Sequence, residues 1–325
     1  MKNIDVIALG ELLIDFTENG LSENENPLLE ANPGGAPCNV LAMLQRLGKK
    51  TAFIGKVGKD AFGKYLMKTV SDIGIDITNL VQDESIPTTL AFVHTAEDGN
   101  RSFSFYRNPG ADMMLAKEDI DYSQIDEAKI FHFGTLSMTH EGVREATKQA
   151  VLRARESGLI ISFDPNFRPL LWDSKETAKE MMKYGFSVCD ILKISDDEIT
   201  FVTGKERIED AIYAFRGEYQ PKLMCVTCGK NGSYAIYDDK IIKCDAFVRD
   251  DTIETTGAGD TFMACVLNYI LEHGLSALKE ADLKEMLTFA AAAASIITTR
   301  KGALKVMPTM DEILHVMKNG MKKQS

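Results

Sequence analysis

No apolar run in this chain of 325 residues approaches the roughly 20 needed to span a bilayer. Basic clusters are missing too. With 37 Lys and Arg against 48 Asp and Glu, the formal net charge is −11, which opposes non-specific nucleic-acid binding. Cysteine is sparse: the 6 residues are scattered without the density of a disulfide scaffold, as in a reducing cytoplasm. Cys225 and Cys228 form a CxxC, but it ends the apolar run LMCVTC, and no second Cys or His pair stands at zinc-ligand spacing. The start, MKNIDVIALGELLID, carries no small-residue cleavage site, and GELLID lacks the GxGxxG of a dinucleotide-binding turn. Repeats and low-complexity segments are absent as well. What remains is a cytoplasmic protein with a small-molecule partner, no nucleic acid and no membrane.

The chain is 45% hydrophobic and 26% charged, enough to bury a sizeable core as one large domain or two small ones. Short apolar runs at Ile4–Leu9, Thr51–Ile54, Ile130–Phe133, Leu159–Phe163 and Leu223–Thr227 read as buried strands. They alternate with helical patterns at Val40–Leu47, Phe62–Ile73, Gly142–Glu156, Thr177–Phe186, Thr261–Glu272 and Leu283–Thr298. The alternation predicts an α/β fold with a parallel sheet covered by helices. Two stretches leave the pattern. Thr17–Pro33 is polar and poor in helix signals, and Thr88–Arg107 reads as a hairpin around the turn EDGN. Such excursions serve either as a lid that excludes water or as plain surface structure. The polar tail KNGMKKQS reads as frayed.

Two segments carry phosphate chemistry in their residue types. GKDAFGKY, Gly58–Tyr65, matches the GxxxxGK of a P-loop, but Tyr65 stands where a small hydroxyl should ligate magnesium, so a helix-capping turn explains it better. TTGAGDTF, Thr255–Phe262, places Gly257, Ala258 and Gly259 before a helix, where the backbone approaches an anion without side-chain clash. Asp260 at that helix start is expected to stay ionised in the positive end of the dipole and to accept a hydroxyl proton. Capping alone explains one aspartate but not three small residues before it.

With GGAPCNVLAMLQRLG at Gly34–Gly48 and ETTGAGDTF at Glu254–Phe262, the chain resembles the ribokinase, or PfkB, family of carbohydrate kinases. The likeness runs from GELLIDF to TTRKGALKVMP. It implies a doubly wound α/β core with a small β lid: a single kinase domain over 1–325, with lid segments inserted at about 11–34 and 86–112. It also implies ATP-dependent phosphorylation of a sugar hydroxyl, Asp260 as base and the amides of Gly257, Ala258 and Gly259 as the anion hole. On the sugar, the resemblance assigns Asp15, Gly34, Gly35 and Asn39. Arg107 in FYRNPGADMML and Arg168 in DPNFRPLLW look like the arginines of the family's fructokinase branch, which implies fructose as acceptor and fructose 6-phosphate as product. Runner-up acceptors are 2-keto-3-deoxygluconate, ribose or a nucleoside, and a sugar sensor without catalysis is the alternative of another class.

For ATP, the same resemblance implies Lys193, Ser195, Thr227, Gly229, Gly232, Gly259, Ala291 and Ser295. Glu198 in SDDE matches a position that acts on magnesium through water. A monovalent-cation site for potassium would involve Glu254, Thr256, Ile297, Arg300 and Gly302. Many members have Asp at the position of Glu254, so the longer acid departs from that site's pattern. Relatives often pair lid to lid, and Phe92, Phe103 and Phe105 are apolar residues that a homodimer would bury unless they face the chain's own core.

Overall fold

The computed structural model describes residues 2–95 and 101–321, and the side chains of all of these except residues 94–95, 101–103 and 321. The turn Glu97–Asn100, the end of the tail and the side chain of Phe103 therefore lie outside the described residues.

The described strands form two sheets. After β1 (Ile4–Leu9) come β2 (Leu13–Leu21) and β3 (Pro27–Gly34), then β4 (Thr51–Gly58) and β5 (Asp76–Asp83). The hairpin β6 (Leu90–Thr95) and β7 (Arg101–Tyr106) precedes β8 (Ala128–Phe133), β9 (Ile160–Phe163), β10 (Ile191–Ser195) and β11 (Leu223–Thr227). Two further strands, β12 (Ser233–Tyr237) and β13 (Lys240–Cys244), close the set. The large sheet runs β13-β12-β11-β10-β9-β8-β1-β4-β5, and all its pairs are parallel except those of β11 with β12 and β12 with β13. The small sheet runs β3-β2-β6-β7. The two excursions thus meet in one sheet.

Helices cover both faces of the large sheet. α1 (Ala36–Arg46) and α2 (Ala61–Ile73) lie on one face. α3 (Tyr122–Asp126), α4 (Glu141–Glu156), α5 (Lys175–Val188), α6 (Asp196–Thr203) and α7 (Ile208–Glu218) lie on the other. α8 (Ala258–His273), α9 (Glu280–Ile297) and α10 (Met310–Met321) return to the first. Strand β1 shows why such a sheet reads as a continuous apolar run. Val6 and Ala8 join one core, Ile7 and Leu9 the other, and all four are fully buried.

GKDAFGKY is a capping turn. Asp60 accepts from the amide of Gly63 at 2.7 Å, and its carboxylate also holds the Thr88 amide at 2.7 Å at the root of the β6–β7 hairpin. Tyr65 points elsewhere and accepts from Lys305 at 3.0 Å. Lys318–Met321, read as frayed tail, complete α10.

Candidate active site

In a parallel sheet every strand delivers its carboxyl end to the same edge, and ligands bind in the crevice there. Here β1 leads into Glu11, β9 into Asp164–Arg168, β10 into Ser195 and β11 into Thr227. Two cavities open on that edge. The first, of about 620 Å³, is lined by Asp15, Gly35, Asn39, Arg168, Lys193 and Asp260, with Thr17, Asn32, Val93 and Phe105 of the small sheet as its other wall. The second, of about 450 Å³, is lined by Gly229, Gly232, Phe247, Ala258, Ala291 and Ser295 among others. The two share Thr227, Thr255 and Gly259. The small sheet therefore faces the first cavity and TTGAGDTF is the partition.

Helix α8 begins at that partition. Its N-cap is Gly257, whose φ of 77° is the left-handed conformation that glycine adopts without strain. The Ala258 amide closes a turn on the Thr255 carbonyl at 3.2 Å, so it is already engaged within the loop. Asp260 caps nothing. One of its carboxylate oxygens accepts from Asn39 Nδ2 at 2.8 Å and the other from Asn166 Nδ2 at 3.4 Å. The expectation that the helix end holds this carboxyl low is reversed. Burial pushes Asp260 above the usual aspartate range, and the hydrogen bond from Asn39, the charges of Lys193 and Arg168 and the bond from Asn166 recover only part of that shift. A base so raised takes a proton more readily once ionised.

On the sugar side, Gly34 and Gly35 make room. A Cβ at Gly34 would lie 2.3 Å from a carboxylate oxygen of Asp15, and one at Gly35 would lie 2.3 Å from the Glu11 carbonyl oxygen, at a φ of 135°. Burial pushes Asp15 up to about 7; Arg168 opposes the shift, while Glu254 and Asp260 add to it. Arg168 is exposed on the cavity rim. Arg107 is not brought to the cavity wall. Its guanidinium is buried, donates to Asp112 at 2.8 Å and Thr139 at 2.8 Å, and reaches the Leu136 carbonyl at 3.0 Å, so it anchors the end of β7 to the core.

Lys193 and Ser195, expected with the nucleotide, line the first cavity. Lys193 is buried and pairs with Asp164 at 3.1 Å. Although burial lowers it, Asp164, Glu198 and Asp260 hold Lys193 above its ordinary value. Burial pushes Asp164 up to about 7. The Glu198 carboxylate accepts the amides of Phe167 at 2.7 Å and Ser195 at 2.9 Å, closing a capping box at the start of α6. Among the described residues no group of three or more His, Cys, Asp or Glu could hold a metal directly. Glu198, with an amide on each carboxylate oxygen, lines the first cavity. All 6 cysteines are free and buried.

The potassium positions come together in part. Glu254 accepts the Gly302 amide at 2.8 Å, and its own amide reaches the Thr298 carbonyl at 3.1 Å. Glu254, Thr256 and Gly302 line the first cavity. Ile297 and Arg300 do not line it. The Ile297 carbonyl accepts the Arg300 amide at 3.1 Å, and the Arg300 guanidinium pairs with Glu312.

Residues 3–310 match the family described as pfkB family carbohydrate kinase. The chain belongs to the PfkB family of carbohydrate kinases. It is 39% identical over 317 residues to fructokinase-2 of Solanum lycopersicum, covering 97% of this chain and 96% of the relative. A fructokinase with bound ATP from Xylella fastidiosa superposes with a TM-score of 0.89 at 29% identity, over 99% of this chain and 100% of that one. A fructokinase from Vibrio cholerae O395, in a form with bound fructose, ADP and calcium ion, superposes with a TM-score of 0.86 at 27% identity, over 98% and 100% of the two chains.

Against this PfkB framework, sequence reasoning named no site role for Glu11, Asn32, Asp164 or Asn166. Glu11 is buried, accepts the Ala36 amide at 2.8 Å and is pushed up to about 7 by that burial. Asn32 reaches from β3 to Thr17 at 2.9 Å and sits over Gly302, where a Cβ would lie 3.0 Å from its oxygen. Asp164 and Asn166 belong to the quoted DPNFRPLLW, so their type was visible and only their partners were not.

Proposed function

We propose that this carbohydrate kinase transfers the terminal phosphoryl group of ATP to a hydroxyl of D-fructose, forming fructose 6-phosphate. The carrying observation is the shared wall: a small-sheet-covered polar cavity and a second, more apolar cavity meet at Thr255–Gly259, with Asp260 on the polar side. Fructose is the acceptor supported by the named relatives. Its hydroxyls lie against Asp15, Gly34, Gly35 and Asn39, with Arg168 at the rim. Asp260 accepts the proton of the attacking hydroxyl, and the amides of Gly257 and Gly259 face the transferred phosphoryl.

ATP occupies the second cavity, its phosphates along Thr227, Gly229 and Gly232 and its base against Ala291 and Ser295. Glu198 orients the waters of magnesium, which offsets phosphate charge when bound. Glu254, Thr256 and Gly302 form the potassium site. The chain acts in the cytoplasm as a homodimer through the small sheet. Phe92 stacks on Phe16 of its own chain at 5.0 Å and Phe105 lines the cavity, so the dimer surface falls instead to exposed Leu21, Leu28, Leu29 and Tyr106. The test is a panel of sugars with ATP and magnesium, followed by ADP release. Preference for fructose supports the acceptor, and preference for 2-keto-3-deoxygluconate, ribose or a nucleoside overturns it.

A further inference from the structure

The Asp164–Lys193 pair beside the first cavity is deeply buried, with side-chain exposures of 0% and 6%. Taking two charges out of water costs more than an isosteric apolar pair, so the pair is poor stabilisation. Its geometry serves something else. Register brings the two together: Leu192 pairs with Phe163 across β9 and β10, and Lys193 and Asp164 follow next along each strand. Both Asp164 oxygens face the ammonium, at 3.1 and 3.3 Å, and among the described residues the carboxylate has no other hydrogen-bond partner. Lys193 lines the first cavity, while Asp164 stands behind it and does not. On its far side the ammonium abuts the anion-hole backbone so closely that a Cβ at Gly259 would lie 2.9 Å from Nζ.

We propose that Asp164 is a positioning residue that acts through Lys193, fixing the ammonium against Gly259 where charge builds on the transferred phosphoryl group. A cation held there by a fixed partner needs no rearrangement as the oxygens gain charge, and such preorganisation favours the transition state over the ground state. Asp164 does not line either cavity, so it acts on turnover through its neighbours, with Lys193 its strongest charge partner ahead of Glu198 and Asp260. The inference rests on the phosphoryl-transfer reading but not on which sugar is the acceptor.

The test is a double-mutant cycle of Asp164→Asn and Lys193→Met, with ATP, magnesium and whichever sugar the panel selects. Asp164→Asn is expected to lower kcat about tenfold or more, with the sugar KM within about threefold. In the Lys193→Met background the same substitution is expected to change kcat by less than about twofold. Asp164→Glu restores part of the lost turnover. Unchanged kcat in Asp164→Asn, or a full multiplicative loss on top of Lys193→Met, overturns the proposal. Should Asp164→Asn alone not fold, the neutral double variant against Lys193→Met decides in the same way: equal kcat supports it, a further loss refutes it. Failure of the sugar panel itself, with no ADP release from any acceptor, falls on the kinase reading instead.

Discussion

Asn39 donates its side-chain amide to Asp260 at 2.8 Å, linking the start of α1 to the start of α8 across 221 residues of sequence. The bond fixes one carboxylate oxygen and leaves the other toward Asn166 and the first cavity. It also lowers the proton affinity that burial has raised.

Asn39→Ala removes both effects. A hydrogen bond to a charged group contributes about 1.5–3 kcal/mol, so kcat is expected to fall roughly 10- to 100-fold. Without the bond Asp260 holds its proton to higher pH, so the acid limb of kcat/KM moves upward. Steady-state profiles of wild type and variant check this; a limb that stays or moves down contradicts it.

Gly259→Ala separates stability from activity. Alanine is the better helix former by about 1 kcal/mol, yet its Cβ would press on Lys193 Nζ at 2.9 Å. The expected result is a melting temperature that is unchanged or higher with kcat down about tenfold or more. Gly257→Ala differs, because its φ of 77° costs an alanine about 1–2 kcal/mol and the Ala303 Cβ lies 3.0 Å away. That variant loses stability as well.

Potassium is expected to raise turnover over a bulky organic cation of equal ionic strength, and Glu254→Gln is expected to abolish the difference. Glu254 accepts the Gly302 amide at the wall of the first cavity, which makes it the residue to change. Equal rates in potassium and tetramethylammonium rule the site out.

The apolar strands were legible where burial on both faces makes a continuous run: Ile4–Leu9 and Leu223–Thr227 match their observed spans. β2 and β3 were not, because Glu18–Leu21 and Pro27–Glu30 are exposed and show no period-2 burial. β10 was hidden by its lysine, since Lys193 is buried among the carboxylates of Asp164, Glu198 and Asp260. Gly257 and Asp260 could be placed at a helix start from local logic, whereas Gly34 and Gly35 were assigned only through the family resemblance. Arg107 could not be placed, for its partners Asp112, Thr139 and Leu136 come from packing rather than spacing. The protonation tendency of Asp260 also escaped, because burial is a tertiary quantity that outweighs the helix end.

The most direct measurement is ADP release by Asp260→Asn with fructose, ATP and magnesium, alongside fructose and ATP binding by calorimetry. Loss of a general base is expected to lower kcat roughly 10²- to 10⁴-fold while both ligands still bind. Wild-type turnover in Asp260→Asn contradicts the account.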